Sequence, residues 1–204
     1  GRALKKQFTK LKAEVIGIDR PDFNLKIIDS YIRDDFDIYI NNAQYNFAQV
    51  DLLYKLIEKN KDRDCHIINI GSVSSDGDRK NVNHYAIQKT ALEKACTQLT
   101  LCNTKCKVSL IKPGRMNTDM VKDVDAPKLD PREVARAIVW VAAQPKHINI
   151  KTFKPSDIDG FSFSAEIGMG EQDQGGGDTS KENLRVSYSN EDFGFVVYGS
   201  AHNN

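Results

Sequence analysis

The chain has 204 residues with 29 basic against 28 acidic side chains, a net charge of +1. That balance gives no broad basic field for nucleic acid or an anionic membrane, and no apolar run reaches the ~20 residues a membrane-spanning helix needs. The length suits one domain with an appendage, expected to be soluble and cytoplasmic. The four cysteines, Cys65, Cys96, Cys102 and Cys106, contain no C-x-x-C pair and point to reduced thiols. Four scattered histidines lack ligand spacing, so no metal site is expected.

In chain order, Gly1 to Lys12 is helical by composition, and Glu14 to Ile18 is a short apolar run predicted as a strand that exits through Asp19-Arg20-Pro21. A second strand is predicted over Asp37 to Ile40, ending in Asn41-Asn42-Ala43. The helix Phe47 to Asn60 follows, with Phe47, Val50, Leu53, Tyr54 and Ile57 as its apolar stripe. Cys65 to Ile70 reads as a buried strand, Ser74 to Asn83 as a polar loop, Tyr85 to Leu101 as a helix and Cys106 to Ile111 as the next strand. Asp130-Pro131-Arg132-Glu133 is a helix start, with Asp130 as N-cap, Pro131 at the first position and Glu133 completing a capping box. Ile148 to Phe153 alternates apolar and polar residues, as a final edge strand does.

Near residue 155 the composition changes. A Gly-rich linker is flanked by alternating runs at Phe161, Phe163, Ala165 and Ile167, then Leu184, Val186 and Tyr188, then Phe193, Phe195 and Val197. The expected organisation is a main domain over 1–155 and a tail over 156–204, either disordered or a small β-hairpin appendage on the main domain, a partner or a sheet edge.

The chemistry concentrates between Cys65 and Met120. Tyr85 and Lys89 are four residues apart, so on a helix they leave the same face one turn apart. A phenol titrates near ~10, and a cation held beside it favours the phenolate. Ser72 ends the strand at the edge where open α/β sheets present ligands; its hydroxyl suits a carbonyl oxygen that the tyrosine protonates.

These residues resemble the short-chain dehydrogenase/reductase family, in its short, non-extended branch. The family's marks stand in register: N-I-G-S with Ser72, Y-x-x-x-K as Tyr85 and Lys89, P-G-x-x-x-T as Pro113, Gly114 and Thr118, and N-N-A at Asn41, Asn42 and Ala43. The resemblance implies a Rossmann-like, doubly wound parallel α/β sheet. It also implies hydride transfer between NAD or NADP and a small alcohol or carbonyl compound. Tyr85 would be the general acid or base, Lys89 would assist it and hold the nicotinamide ribose, and Ser72 would orient the substrate. Asn46 matches the family's fourth catalytic residue, which orders a water beside the lysine; it suits a helix N-cap equally well. Asn42, Ala43, Pro113, Gly114 and Thr118 would lie along the cofactor. Gln44 replaces the glycine of that turn, at an expected cost wherever positive φ is needed.

Gly1 resembles the last glycine of the family's phosphate-binding turn, so the first strand and most of that loop are expected upstream. Asp19 would then accept hydrogen bonds from the adenosine ribose, favouring NAD, while Arg20 keeps NADP open; a solvated strand-end carboxylate is the plain alternative. Family members commonly associate, so a homo-oligomer is expected. Without the central first strand, the predicted strands Glu14 to Ile18 and Asp37 to Ile40 would each lack a neighbour. The rival to an oxidoreductase is a non-enzymatic binding or assembly protein built on a dehydrogenase-derived scaffold.

Overall fold

The computed structural model of the chain describes residues 1–18, 32, 35–77, 81–118, 121–145, 149–153, 162–168, 182–187 and 196–198. Helix α1 spans Arg2–Lys10 and strand β1 Ile38–Asn41. Helix α2 (Ala48–Asn60), strand β2 (His66–Ile70) and helix α3 (His84–Leu99) follow, then strand β3 (Lys107–Ile111) and helix α4 (Pro131–Ala142). Strands β4 (Asn149–Phe153), β5 (Ser162–Gly168), β6 (Glu182–Ser187) and β7 (Val196–Tyr198) complete the described elements.

All seven strands form one sheet in chain order. β1 to β4 are parallel, with Ile38 opposite His66, Ile67 opposite Val108 and Leu110 opposite Thr152. From β4 onward the pairing is antiparallel. The last predicted strand of the main domain is therefore an interior strand, not an edge, because the tail runs continue the sheet beyond it. Their register sets Ile167 opposite Glu182 and Val186 opposite Val197.

The parallel half has the expected layers, since helical crossovers cover both faces of parallel strands. One face carries Leu53, Leu56 and Ile57 of α2 and Leu92, Ala95, Cys96 and Leu99 of α3 against Ile67, Val108 and Leu110. The other carries Phe8 of α1 and Val134, Ile138 and Val141 of α4 against Ile68, Ile70 and Ile111. Each fully buried aliphatic side chain in these clusters contributes about 1.5–3 kcal/mol.

Three further predictions need correction. Residues 13–18 form no strand; Val15 packs against the α4 cluster while Ile16 and Ile18 are exposed. An extended segment needs a neighbour to take its backbone hydrogen bonds, and no described strand pairs with this one. The stripe of α2 is also rotated from its predicted phase: Phe47 and Tyr54 are exposed, and Gln49, Leu53, Leu56, Ile57 and Asn60 are buried. At α4, Asp130 caps the Arg132 N–H at 2.8 Å, whereas Glu133 faces Arg136 instead of closing a capping box. Among the described residues no helix is long and apolar enough to cross a membrane.

Candidate active site

The carboxyl ends of β1, β2 and β3 lie side by side, and the sequence-predicted residues gather along that edge. Gly71 makes the close approach possible. Its N–H donates to the Ile111 carbonyl at 2.7 Å, and a Cβ at this position would fall 2.9 Å from Leu110 Cδ1. A larger residue here would force the Leu110 side chain to shift within the core. The next link, from Val73 N–H to the Pro113 carbonyl at 3.2 Å, joins the Ser72 turn to the Pro113-Gly114 turn.

Ser72 is buried in extended backbone and starts a short 3-10 turn over Val73–Ser75. Its Oγ accepts the Ser74 N–H at 3.1 Å. The hydroxyl proton is not used by that bond, so the side chain can cap its turn and still donate to a substrate oxygen. Ser75 Oγ donates to the Ser72 carbonyl at 2.8 Å and lies 2.7 Å from Glu93 on α3, tying the turn to the tyrosine helix.

Helix α3 begins at an Asn83 cap whose Oδ1 accepts the Ala86 N–H at 3.0 Å. This places Tyr85 in the first turn, 37 % exposed, and Lys89 one turn on, 3 % exposed. Lys89 Nζ lies 5.5 Å from the Tyr85 ring centroid. It donates to the Ile70 carbonyl and to Gln49 Oε1, each at 2.8 Å. Both acceptors are neutral, and burial pulls the amine down to about 8.

Gln49 was not singled out by the sequence, where it reads as a surface glutamine between Ala48 and Val50. Its Nε2 donates to the Asn41 carbonyl at 2.6 Å and the Ile70 carbonyl at 3.0 Å. Asn41 Nδ2 in turn donates to the Gln49 carbonyl at 2.8 Å and to Asn69 Oδ1 at 3.0 Å. Asn41, Gln49 and Asn69 are all buried, so this amide network fixes the ends of β1 and β2 against α2. The one available clue was phase: Gln49 lies one turn before Leu53 on the buried stripe.

Asn46 is placed differently from its neighbours in the prediction. It is exposed, with φ 47°, a left-handed conformation asparagine tolerates better than most residues. The N-cap of α2 is Phe47, so Asn46 does not serve as the cap. Gln44, where a turn cost was expected, is not among the positive-φ residues. Its Nε2 reaches Gln88 Oε1 at 2.7 Å and the Asn46 carbonyl at 3.2 Å.

Of the remaining candidates, Asn42 and Thr118 are exposed, Ala43 and Gly114 half-buried and Pro113 buried. Thr118 Oγ1 is 3.5 Å from the Met116 carbonyl. Gly1 caps α1 in open space, its carbonyl accepting the Lys5 N–H at 3.0 Å. Asp19 and Arg20 lie outside the described residues. Among the described residues no cluster of three or more histidine, cysteine or acidic side chains could hold a metal.

No family model matches the chain. An uncharacterized oxidoreductase of Staphylococcus aureus (strain N315) is 34% identical over 90 residues, covering 42% of this chain and 39% of that protein. One from Staphylococcus epidermidis is 31% identical over 141 residues, covering 66% of this chain and 57% of that protein. The chain thus spans well under two thirds of the curated relatives it matches. Serine dehydrogenase from Escherichia coli superposes with a TM-score of 0.60 at 20% identity, covering 74% of this chain and 90% of that one. A short-chain dehydrogenase from Burkholderia cenocepacia, in complex with NADP, gives 0.59 at 17% identity over 71% and 80%. The fold is that of the short-chain dehydrogenases, a Rossmann-like parallel sheet flanked by helices.

Proposed function

We infer that this chain, short-chain dehydrogenase in fold and related in sequence to oxidoreductases, carries the reaction centre of an NAD(P)-dependent oxidoreductase that interconverts a small alcohol and its carbonyl compound. The observation that carries this reading is the buried Lys89 amine 5.5 Å from the Tyr85 ring, anchored at the end of β2 where the Ser72 turn begins. A buried cation with neutral partners is costly to keep in a fold, and a developing phenolate is a group that makes use of it. The nicotinamide cofactor supplies the hydride chemistry.

The chain's own groups then divide the work. Ser72 donates its hydroxyl proton to the substrate oxygen, Tyr85 gives or takes the proton at that oxygen, and Lys89 supplies the positive charge beside the phenol. A nucleotide fits the same edge. Asn41 Oδ1 and Gln44 Oε1 are buried there without a donor among the described protein groups, so this edge carries acceptors that the described side chains leave unmet. Asn42, Ala43, Pro113, Gly114 and Thr118 would lie along that ligand, and Asp19 and Arg20 would decide between NAD and NADP. The complex of the Burkholderia cenocepacia neighbour with NADP supports a nicotinamide dinucleotide here. A homo-oligomer, and a tail beyond residue 155 that extends the sheet of the main domain, are parts of the same proposal.

Tyr85→Phe tests it: with folding unchanged by circular dichroism, kcat for nicotinamide-linked carbonyl reduction should fall by about 10²–10⁴-fold. Turnover equal to that of the unsubstituted protein would remove the proposed mechanism.

A further inference from the structure

We propose that Gln49 is the positioning residue of this site, an amide locked by the ends of β1 and β2 that holds the Lys89 amine as a donor facing Tyr85. The inference rests on the oxidoreductase reading for its functional meaning, but its geometry stands independently.

The orientation of a buried amide follows from what surrounds it. Gln49 Nε2 faces two backbone carbonyls, those of Asn41 at 2.6 Å and Ile70 at 3.0 Å. Turning the amide over would set its oxygen against both, leaving acceptors facing acceptors. Oε1 is therefore fixed toward Lys89 Nζ at 2.8 Å, and an amide oxygen can only accept. The site it offers is one that rewards an N–H and, more strongly, a charged one. Gln49 itself is 2 % exposed and Lys89 3 %, so water does not compete freely for either.

The Ile70 carbonyl accepts from both side chains, from Gln49 at 3.0 Å and Lys89 at 2.8 Å. Gln49, the end of β2 and Lys89 thus form a closed triangle whose third corner precedes Ser72 by two residues. Facing Lys89 are neutral Gln49 from α2, the Ile70 carbonyl from β2 and the Tyr85 phenol from its own helix. The acidic groups Glu93 of α3 and Asp76 of the turn are each paired with Lys112 after β3. Holding Lys89 as a donor therefore falls to Gln49 and one carbonyl. Asn46, expected beside the lysine, lies three residues earlier on the exposed turn, and it is Gln49 whose side chain reaches the amine.

The test reads the lysine itself, by carbon NMR of the full chain labelled at lysine Cε and titrated from pH 6 to 11. Gln49→Met keeps the length and removes the acceptor, which should lower the Lys89 midpoint by about one pH unit, tenfold in its protonation constant. Gln49→Glu adds an opposite charge and should raise it by at least as much. A general disturbance of packing would not move the lysine in opposite directions. Shifts of the same sign, or no shift in folded variants, overturn the proposal. If Gln49→Met does not fold, the sign of the Gln49→Glu shift decides alone. In the unsubstituted protein, absence of a contact between the Lys89 ε-methylene and the Gln49 side chain overturns it without any variant. Opposite shifts in a protein that shows no turnover would leave the positioning intact and count against the oxidoreductase reading instead.

Discussion

Among the described residues two lysines are buried at the carboxyl edge of the sheet, and the fold treats them in opposite ways. Lys112, fully buried just after β3, is paired with Asp76 from the serine turn and with Glu93 from α3 at 2.7 Å. Lys89, equally inaccessible, has a glutamine oxygen and a carbonyl. The first is a charge matched by charges, joining β3, the serine turn and the tyrosine helix. The second is held in place without a carboxylate to satisfy it, so its charge remains available to whatever appears beside it. Burial alone does not mark a functional cation. The difference lies in the partners: Lys112 has two carboxylates, whereas Lys89 has two neutral acceptors and the Tyr85 ring 5.5 Å away.

The largest effect that would sharpen this contrast is on stability at Lys112. Lys112→Met leaves two carboxylates facing each other; because both are about one-third exposed, the loss should be about 2 kcal/mol, below that of a fully buried pair. A urea midpoint that hardly moves would show that the pair is ornamental and the contrast false.

A comparable effect separates Lys89 by its pH dependence. Its folded value, about 8, lies below the unfolded value of 10.5, so between these limits the unfolded chain binds more protons. Stability must therefore rise with pH across that window. Relative to Lys89→Met, the unsubstituted protein should gain about 2 kcal/mol between pH 8 and 10. A flat difference would mean that the amine is satisfied after all.

Much of this arrangement was legible in the chain. Helix α3 and strands β2 and β3 were located within two residues of their observed ends, because short apolar runs, a run of good helix formers and the Pro113-Gly114 turn all act locally, although the Asn83 cap was read as part of the preceding loop. Ser72, Tyr85 and Lys89 stood out because their order and spacing are chemical as well as structural. What escaped was tertiary. Gln49 meets Lys89 forty residues away, and nothing local distinguishes it from a surface glutamine except the rotation of the α2 stripe. The positive φ at Asn46 was missed for a similar reason: the expectation attached to Gln44, where a glycine is usual, but the turn reverses two residues later. The pairing of β5 to β7 onto β4 depends on contacts that alternating runs announce in kind but not in place.

The central claim is that the edge bearing Tyr85, Lys89 and Ser72 receives a nicotinamide dinucleotide. Titration of the protein with NADPH and with NADH, following energy transfer from Trp140 and the tyrosines to the nicotinamide, tests it most directly. Saturable transfer is expected, displaced by the oxidised dinucleotide and weakened at least tenfold, about 1.4 kcal/mol, by Lys89→Met. A folded protein that gives no transfer with either cofactor, or binds equally well without Lys89, would contradict it.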